Sequence, residues 1–175
     1  MLLDWPWQQV VLLDAFAWGV ISIVAGWRGR TLEPAALARD RAVLRLAPFE
    51  RTGGGAWYRH RLRIHRWKDR LPDAGPLFGG QSKRHLPGRS AGSRTARLGS
   101  FSLECRRAEL VHWWILGSTP LFALWNSPGL FAAMVVYAVA LNVPCIAVLR
   151  YNRVRLWGMF TPERGEPAPA PPAAR

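Results

Sequence analysis

The stretch ECRRAELVHWW, residues 104–114, ends a charged segment and begins an apolar one. If it forms a helix, Cys105, Glu109 and His112 share one face, because residues three and four apart are neighbours on a helix. A carboxylate at this spacing can hold one imidazole nitrogen and leave the other to accept a proton from a hydroxyl. The sequence therefore predicts Glu109 and His112 as a general-base pair. The alternative is that both side chains simply lie among lipid headgroups at the end of a helix.

A second polar cluster is the segment RYNRVR, residues 150–155. If the apolar blocks on either side of 126–129 form a hairpin, Arg150, Asn152 and Arg153 lie next to Arg106 and the predicted base. Guanidinium groups bind phosphate and carboxylate groups bidentately, so we expect a substrate-binding surface here. The alternative is a collar of arginines that contacts lipid phosphates.

Between these clusters and the N-terminal block lies a basic loop with further candidates. Trp67, Lys68 and Asp69 are consecutive and could bind substrate. His85, in the sequence KRHL, is either a second acid/base group or a solvated histidine. The residues around it are rich in Gly, Ser and Arg, which predicts a loop.

Several motifs of other catalytic and metal-binding sites are absent from the sequence. It contains no P-loop, HExxH or CxxC pattern. His60 and His65 are five residues apart, which is poor spacing for a metal on one helix face. Cys105 and Cys145 do not suggest a disulfide framework. We therefore expect no metal site.

The distribution of cations indicates how these residues are positioned. No Lys or Arg occurs in residues 1–27, nineteen occur from Arg28 to Arg107, none in 108–149, and five follow. Cations that flank apolar blocks and avoid their interiors are typical of membrane insertion, as are Trp residues near the block ends. We predict an all-α integral membrane protein with three membrane segments, at about 5–27, 110–125 and 129–149.

The segment at 110–125 is short for a full crossing, so it either tilts or dips into the membrane and returns. The first segment has no cationic n-region, which indicates a retained membrane helix and not a removed signal peptide. Asp14 lies within it, a costly residue in lipid, so it faces the bundle interior or the outer surface. The excess of cations in 28–109 places this loop and the C-terminus in the cytoplasm of a multi-pass cell-membrane protein.

One domain is expected over 1–165, followed by a disordered Pro/Ala-rich tail at 166–175. Within the loop, Pro34 at a first helical position predicts a helix over about 33–46. Residues 57–75 have both strand-like alternation and helical spacing. We favour a helix that lies at the membrane interface.

Five segments together resemble one known family. They are WKDRLPDAG (67–75), KRHL (83–86), ECRRAELVHWW (104–114), NVP (142–144) and RYNRVRL (150–156). In this order and at similar spacings they resemble the glycosyl-4,4'-diaponeurosporenoate acyltransferase family of staphyloxanthin-type carotenoid biosynthesis. The likeness extends over most of the chain from Trp57 to Leu156.

The resemblance implies transfer of a fatty acyl group to C6 of a glucose on a carotenoid acid or related glycolipid. His112, steered by Glu109, would be the base, and an arginine or Asn152 would stabilise the oxyanion. The acyl donor, acyl-CoA or acyl carrier protein, is then a co-substrate, and no cofactor is expected. Partners would be membrane lipids, the glycosylated acceptor and other carotenoid-pathway enzymes, with no nucleic acid. The competing hypothesis is a non-catalytic membrane scaffold or anionic-lipid-binding protein.

Overall fold

The computed structural model describes residues 5–39, 42–71 and 94–160, and all regular structure in these ranges is helical. Its α-helices are α1 (Trp7–Arg30), α2 (Pro34–Ala38), α3 (Pro48–Arg51), α4 (Gly54–His60), α5 (Arg94–Gly117) and α6 (Pro128–Phe160). Shorter 3₁₀ turns lie at Ala42–Leu44, Ile64–Arg66, Lys68–Arg70 and Thr119–Leu124. His85 and the tail at 166–175 lie outside the described residues. Within them, the all-α prediction is confirmed.

Two of the described helices are long and apolar enough to cross a membrane. They are α1, with a mean hydropathy of 1.9, and α6 over Pro128–Gly158, with a mean hydropathy of 2.2. Large apolar side chains on both helices point away from the protein: Leu12 and Phe16 are each 70% exposed, and Val136 is 67% exposed. Soluble proteins rarely leave apolar surface so extensively uncovered. These two helices have the length and surface of membrane helices.

The predicted segment at 110–125 is not one membrane helix. The α-helix α5 ends at Gly117 and a 3₁₀ turn follows at Thr119–Leu124. Pro120, which has no backbone N–H to continue an α-helix, lies at the start of this turn. The arrangement of three crossing segments is therefore not confirmed. The predicted segment at 129–149 belongs to a longer helix, because α6 continues through Pro144 and the arginines to residue 160.

Residues 31–39 and 42–71, which we call the polar loop, form shorter helices than the sequence predicted. In place of a helix over 33–46, α2 covers five residues and a 3₁₀ turn follows, which together bury Leu37 and Leu44. In place of a helix over 57–75, α4 ends at His60, and Arg63 takes up a left-handed conformation with φ 46°. A non-glycine residue in that conformation ends a helical run.

Close helix packing places α5 between α1 and α6. At Gly29 of α1, an added Cβ would approach Val111 Cγ2 of α5 to 2.5 Å, so the helices contact each other through the bare glycine backbone. Trp18 of α1 stacks on Phe122 with ring centroids 4.5 Å apart. These contacts fix the position of α5, which carries the predicted base.

Asp14 faces the interior of the helix bundle. It is 2% exposed, and its Oδ1 accepts hydrogen bonds from Trp125 Nε1 at 2.7 Å and Asn126 Nδ2 at 2.8 Å. These donors satisfy Oδ1, whereas the buried Oδ2 has no hydrogen-bond partner among the described residues. The two bonds tie α1 to the turn between α5 and α6.

Candidate functional site

A chain of buried ion pairs joins α5, α6 and the polar loop. At its centre is Glu109, whose side chain is fully buried. Arg150 Nε donates to its Oε1 at 2.7 Å, and Arg153 Nη1 donates to its Oε2. Trp113 Nε1 also approaches Oε1, at 3.4 Å. The two segments predicted to meet at a hairpin, 104–114 and 150–155, do meet, and Glu109 joins them.

The polar loop adds a second buried carboxylate, Glu50 of α3. Its Oε1 accepts from Tyr58 Oη at 2.6 Å, and its Oε2 accepts from the Ala47 backbone N–H at 2.6 Å. Arg150 Nη1 reaches the same Oε2 at 3.4 Å, so Arg150 bridges Glu50 and Glu109. Burial, together with the bond to Glu50, raises the pKa of Tyr58, which therefore stays a phenol donor at physiological pH.

Backbone carbonyls complete the binding of the two arginines. Arg150 Nη2 donates to Val43 O and Arg153 Nη2 donates to Leu44 O. These carbonyls lie at the end of the 3₁₀ turn Ala42–Leu44. The arginines of α6 are therefore held on one side by α5 and on the other by the loop, which explains why α6 remains helical past the apolar block.

The imidazole of His112 is bound by α6, not by Glu109. Its Nδ1 lies 2.9 Å from Asn142 Oδ1. The orientation of the Asn142 amide is fixed by its own helix, because Nδ2 donates to Ala138 O at 2.9 Å. A flipped amide would place its oxygen against that carbonyl, so Oδ1 faces His112 and Nδ1 is the donor. The lone pair of the neutral imidazole is thus on Nε2.

The predicted pairing of Glu109 with His112 is therefore wrong. Both oxygens of Glu109 accept from guanidinium groups, and charge-assisted bonds of this kind outcompete a bond to a neutral imidazole. Three residues of spacing on α5 bring the side chains to one face but do not decide their partners. Asn142, which is 5% exposed, binds the imidazole instead.

Burial lowers the pKa of His112 below the usual value of a histidine, and the hydrogen bond that its Nδ1 donates to Asn142 opposes this shift. His112 lies on α5, which is not one of the two helices with the length and composition of a membrane crossing. Because its pKa is lowered, the imidazole is neutral at physiological pH. A neutral, half-buried imidazole with a lone pair on Nε2 is suited to accept a proton.

A cavity of about 420 Å³ lies further along the contact between α5 and α6. Its lining combines cationic, hydroxyl and apolar side chains: Ala38, Leu46, Arg51, Ser102, Arg106, Arg153, Leu156 and Trp157. Arg106 is held by a bond from its Nη2 to Arg39 O at 2.7 Å. His112 lies six residues after Arg106 on α5, a distance of about 9 Å along the helix axis.

A second cavity, of about 540 Å³, lies between α1 and α5. It is lined largely by apolar side chains of α1, with Arg28, Trp114 and Ser118. Trp114 is two residues after His112, or about 200° around the helix, so this cavity and the imidazole lie on different faces of α5.

Five other residues were predicted to belong to the site: Trp67, Lys68, Asp69, Asn152 and His85. Trp67 packs against the cluster that contains Tyr151, and its Nε1 donates to Leu62 O at 2.8 Å. Lys68 and Asp69 form an exposed ion pair at 2.8 Å. Asn152 is half-buried on α6. His85 lies outside the described residues, so its predicted role as a second acid/base group stays a prediction.

Sequence reasoning missed Glu50 and the role of Asn142. Pro48 followed two residues later by Glu50 is a signal for the start of a helix, and Glu50 does cap α3 through the Ala47 N–H. Nothing local indicates that the same carboxylate also binds Arg150, one hundred residues away. Asn142, a polar residue in an apolar block, was a better signal, because such residues usually have a partner on a neighbouring helix.

Comparison with known proteins gives the family. The model of the glycosyl-4,4'-diaponeurosporenoate acyltransferase family matches residues 40–161, more than half of the chain. The chain belongs to this family. The matched residues include Glu50, Glu109, His112, Asn142, Arg150 and Arg153. The family match therefore covers the buried polar contacts between α5, α6 and the loop, which we call the polar seam.

Relatives in staphylococci carry the same description. A glycosyl-4,4'-diaponeurosporenoate acyltransferase of Staphylococcus haemolyticus is 34% identical over 104 residues, which cover 58% of this chain and 57% of the relative. One of Staphylococcus aureus is 33% identical over 95 residues, covering 53% and 54%. The chain thus spans a little over half the length of these relatives. No solved structure matches the chain.

Proposed function

We propose that this protein is a membrane acyltransferase that moves a fatty acyl group onto the C6 hydroxyl of glucose in a glycosylated carotenoid acid. The proposal takes its acceptor from the description of the staphylococcal relatives. The observation that carries the chemistry is the bond between His112 and Asn142, which leaves the lone pair of a neutral imidazole on Nε2. His112 is the general base, and the cytoplasmic interface is the site of reaction.

The reaction needs one proton acceptor and a donor of acyl groups. With an acyl thioester as donor, the glucose oxygen attacks the thioester carbonyl while Nε2 of His112 takes the hydroxyl proton. The C–S bond then breaks, and the imidazolium returns the proton to the leaving thiolate. Asn142 holds Nδ1 throughout, which keeps Nε2 as the reacting nitrogen.

The ion-paired seam has a supporting part in this proposal. Glu109 and Glu50 neutralise Arg150 and Arg153 and so fix α6 against α5. With both oxygens occupied, Glu109 is a positioning residue and not a base. A primary hydroxyl of a long amphiphile reaches such a site from the membrane interface, where its apolar part remains in the bilayer.

The test is an acyl-transfer assay read by mass spectrometry. Membranes with the protein, and matched membranes without it, receive the glucosyl ester of a carotenoid acid and a mixed pool of acyl thioesters. We expect a mass gain of one acyl group on the glucosyl ester only with the protein present. The 6-deoxyglucosyl ester is the control for position and should gain nothing. The absence of any gain on the glucosyl ester, with protein correctly inserted, would reject acyl transfer and leave a scaffold role.

A further inference from the structure

The cavity at the end of the polar seam, lined by Arg51, Ser102, Arg106, Arg153 and Trp157, has the composition of an anion site with an apolar wall. Three arginines line it, and none of the described residues in its lining is acidic. Because Arg153 is already paired with Glu109, the excess positive charge of the lining comes from Arg51 and Arg106. Arg153 and Arg106 are held by carbonyls of the loop, Leu44 O and Arg39 O, so their positions are set in advance. Fixed guanidinium groups of this kind suit phosphate.

The wall of the cavity combines a cationic side chain with aromatic and aliphatic ones. Arg51 lies over the Trp157 ring, 5.5 Å from its centroid, while Leu46 and Leu156 contribute apolar surface. A guanidinium that stacks through its face keeps its N–H groups directed outward along its edge. The ligand that matches this lining carries a phosphate at one end and an amide or alkyl chain next to it.

The distance to His112 selects among acyl donors with a phosphate. Ser102 and Arg106 precede His112 by ten and six residues, so they lie about 15 and 9 Å from the base along α5 and about 80° and 120° from it around the helix. The carbonyl of a phospholipid ester is only a few bonds from its phosphate and does not span this gap. The phosphopantetheine arm of an acyl thioester does, because a long chain of single bonds separates its phosphate from its carbonyl.

We propose that this cavity binds the phosphate of a phosphopantetheine thioester, the arm shared by acyl-CoA and acyl carrier protein. The inference rests on the proposed acyl transfer for its purpose, but the binding itself is measured separately. The arm then runs along the seam of α5 and α6 and presents its thioester at Nε2 of His112.

The first experiment measures binding by calorimetry on the full chain in detergent, with 4'-phosphopantetheine and pantetheine as probes. We expect the phosphorylated probe to bind more tightly, and Arg51→Gln to weaken its binding about 10-fold to 150-fold, as for loss of one charge-assisted bond. Arg155→Gln is the matched control, because Arg155 is an exposed arginine over Tyr151 at 5.8 Å and does not line the cavity. Equal binding of the two probes, or equal effects of the two variants, would overturn the proposal.

The second experiment separates this inference from the proposed function. Acyl phosphopantetheine, acyl N-acetylcysteamine and phospholipid vesicles are compared as the only acyl source. We expect Arg51→Gln to raise KM for acyl phosphopantetheine and leave the N-acetylcysteamine thioester unchanged. Efficient transfer from vesicles alone would show that the donor is a phospholipid and overturn the proposal. If the wild type transfers no acyl group from any donor but still binds phosphopantetheine, the acyltransferase function is rejected and the phosphate site remains supported.

Discussion

Replacing Glu109 by glutamine separates the two roles that a carboxylate near His112 can have. In the structure, Glu109 is fully buried and binds Arg150 Nε and Arg153 Nη1. The substitution keeps the shape of the side chain but leaves two guanidinium groups, one of them 5% exposed, without their common counter-charge. Breaking a buried pair in this way costs about 3–5 kcal/mol.

The expected result is a less stable protein with an unchanged base. For a chain of this length, a loss of that size lowers Tm by about 6–20 °C. Thermal unfolding in detergent measures it, with Glu104→Gln as the control. Glu104 pairs with Arg107 on the same helix, but its side chain is 25% exposed, so its loss should cost at most about 1 kcal/mol.

The pH profile of acyl transfer supplies the decisive contrast. Because Asn142 and not Glu109 contacts the imidazole, the acid limb of activity in Glu109→Gln should coincide with that of the wild type, measured below its Tm. A variant of normal Tm whose acid limb moves to lower pH would refute the reasoning. It would mean that the carboxylate supports the imidazolium, as the sequence first suggested.

Three further predictions concern residues that position the site. Because burial lowers the pKa of His112, activity should be constant above about pH 6.5 and fall as the pH drops through the lowered pKa. Asn142→Asp places a carboxylate against the imidazole and should move this fall to higher pH, measured as kcat against pH. Tyr58→Phe removes one donor from the buried Glu50 carboxylate and should cost about 1–3 kcal/mol by thermal unfolding, and no change in Tm would contradict the bond. Gly29→Leu should separate α1 from α5 at Val111 and lower Tm, whereas Gly19→Leu, where an added Cβ meets nothing within 4 Å, should have little effect.

The two long apolar helices could be predicted from the sequence because lipid imposes a simple requirement on a crossing helix. Such a helix needs a long and predominantly apolar run, and α1 and α6 have such runs. No comparable physical requirement determines where the short helices of the loop begin and end. The helix expected over 33–46 ends at Ala38, because Arg39 takes up an extended conformation. Leu37 and Leu44 are buried by contacts with the rest of the chain that the local pattern does not specify.

The site shows the same contrast between local and distant partners. Helical spacing correctly placed Glu109 and His112 on one face of α5, and the hairpin argument correctly brought Arg150 and Arg153 to Glu109. Which acceptor each donor would choose depended on residues far along the chain. Glu109 binds two guanidinium groups because these ion pairs are stronger than a hydrogen bond to a neutral imidazole. The imidazole of His112 binds Asn142 instead.

The central claim, that Nε2 of His112 is the base, is tested most directly by the rate of acyl transfer in His112→Ala. The assay compares kcat in membranes with equal amounts of folded wild type and variant, using the glucosyl ester and one acyl thioester. General-base catalysis predicts a fall of about 10²- to 10⁴-fold, with KM for both substrates nearly unchanged. A variant that turns over within a fewfold of the wild type would contradict the account and remove His112 from the reaction.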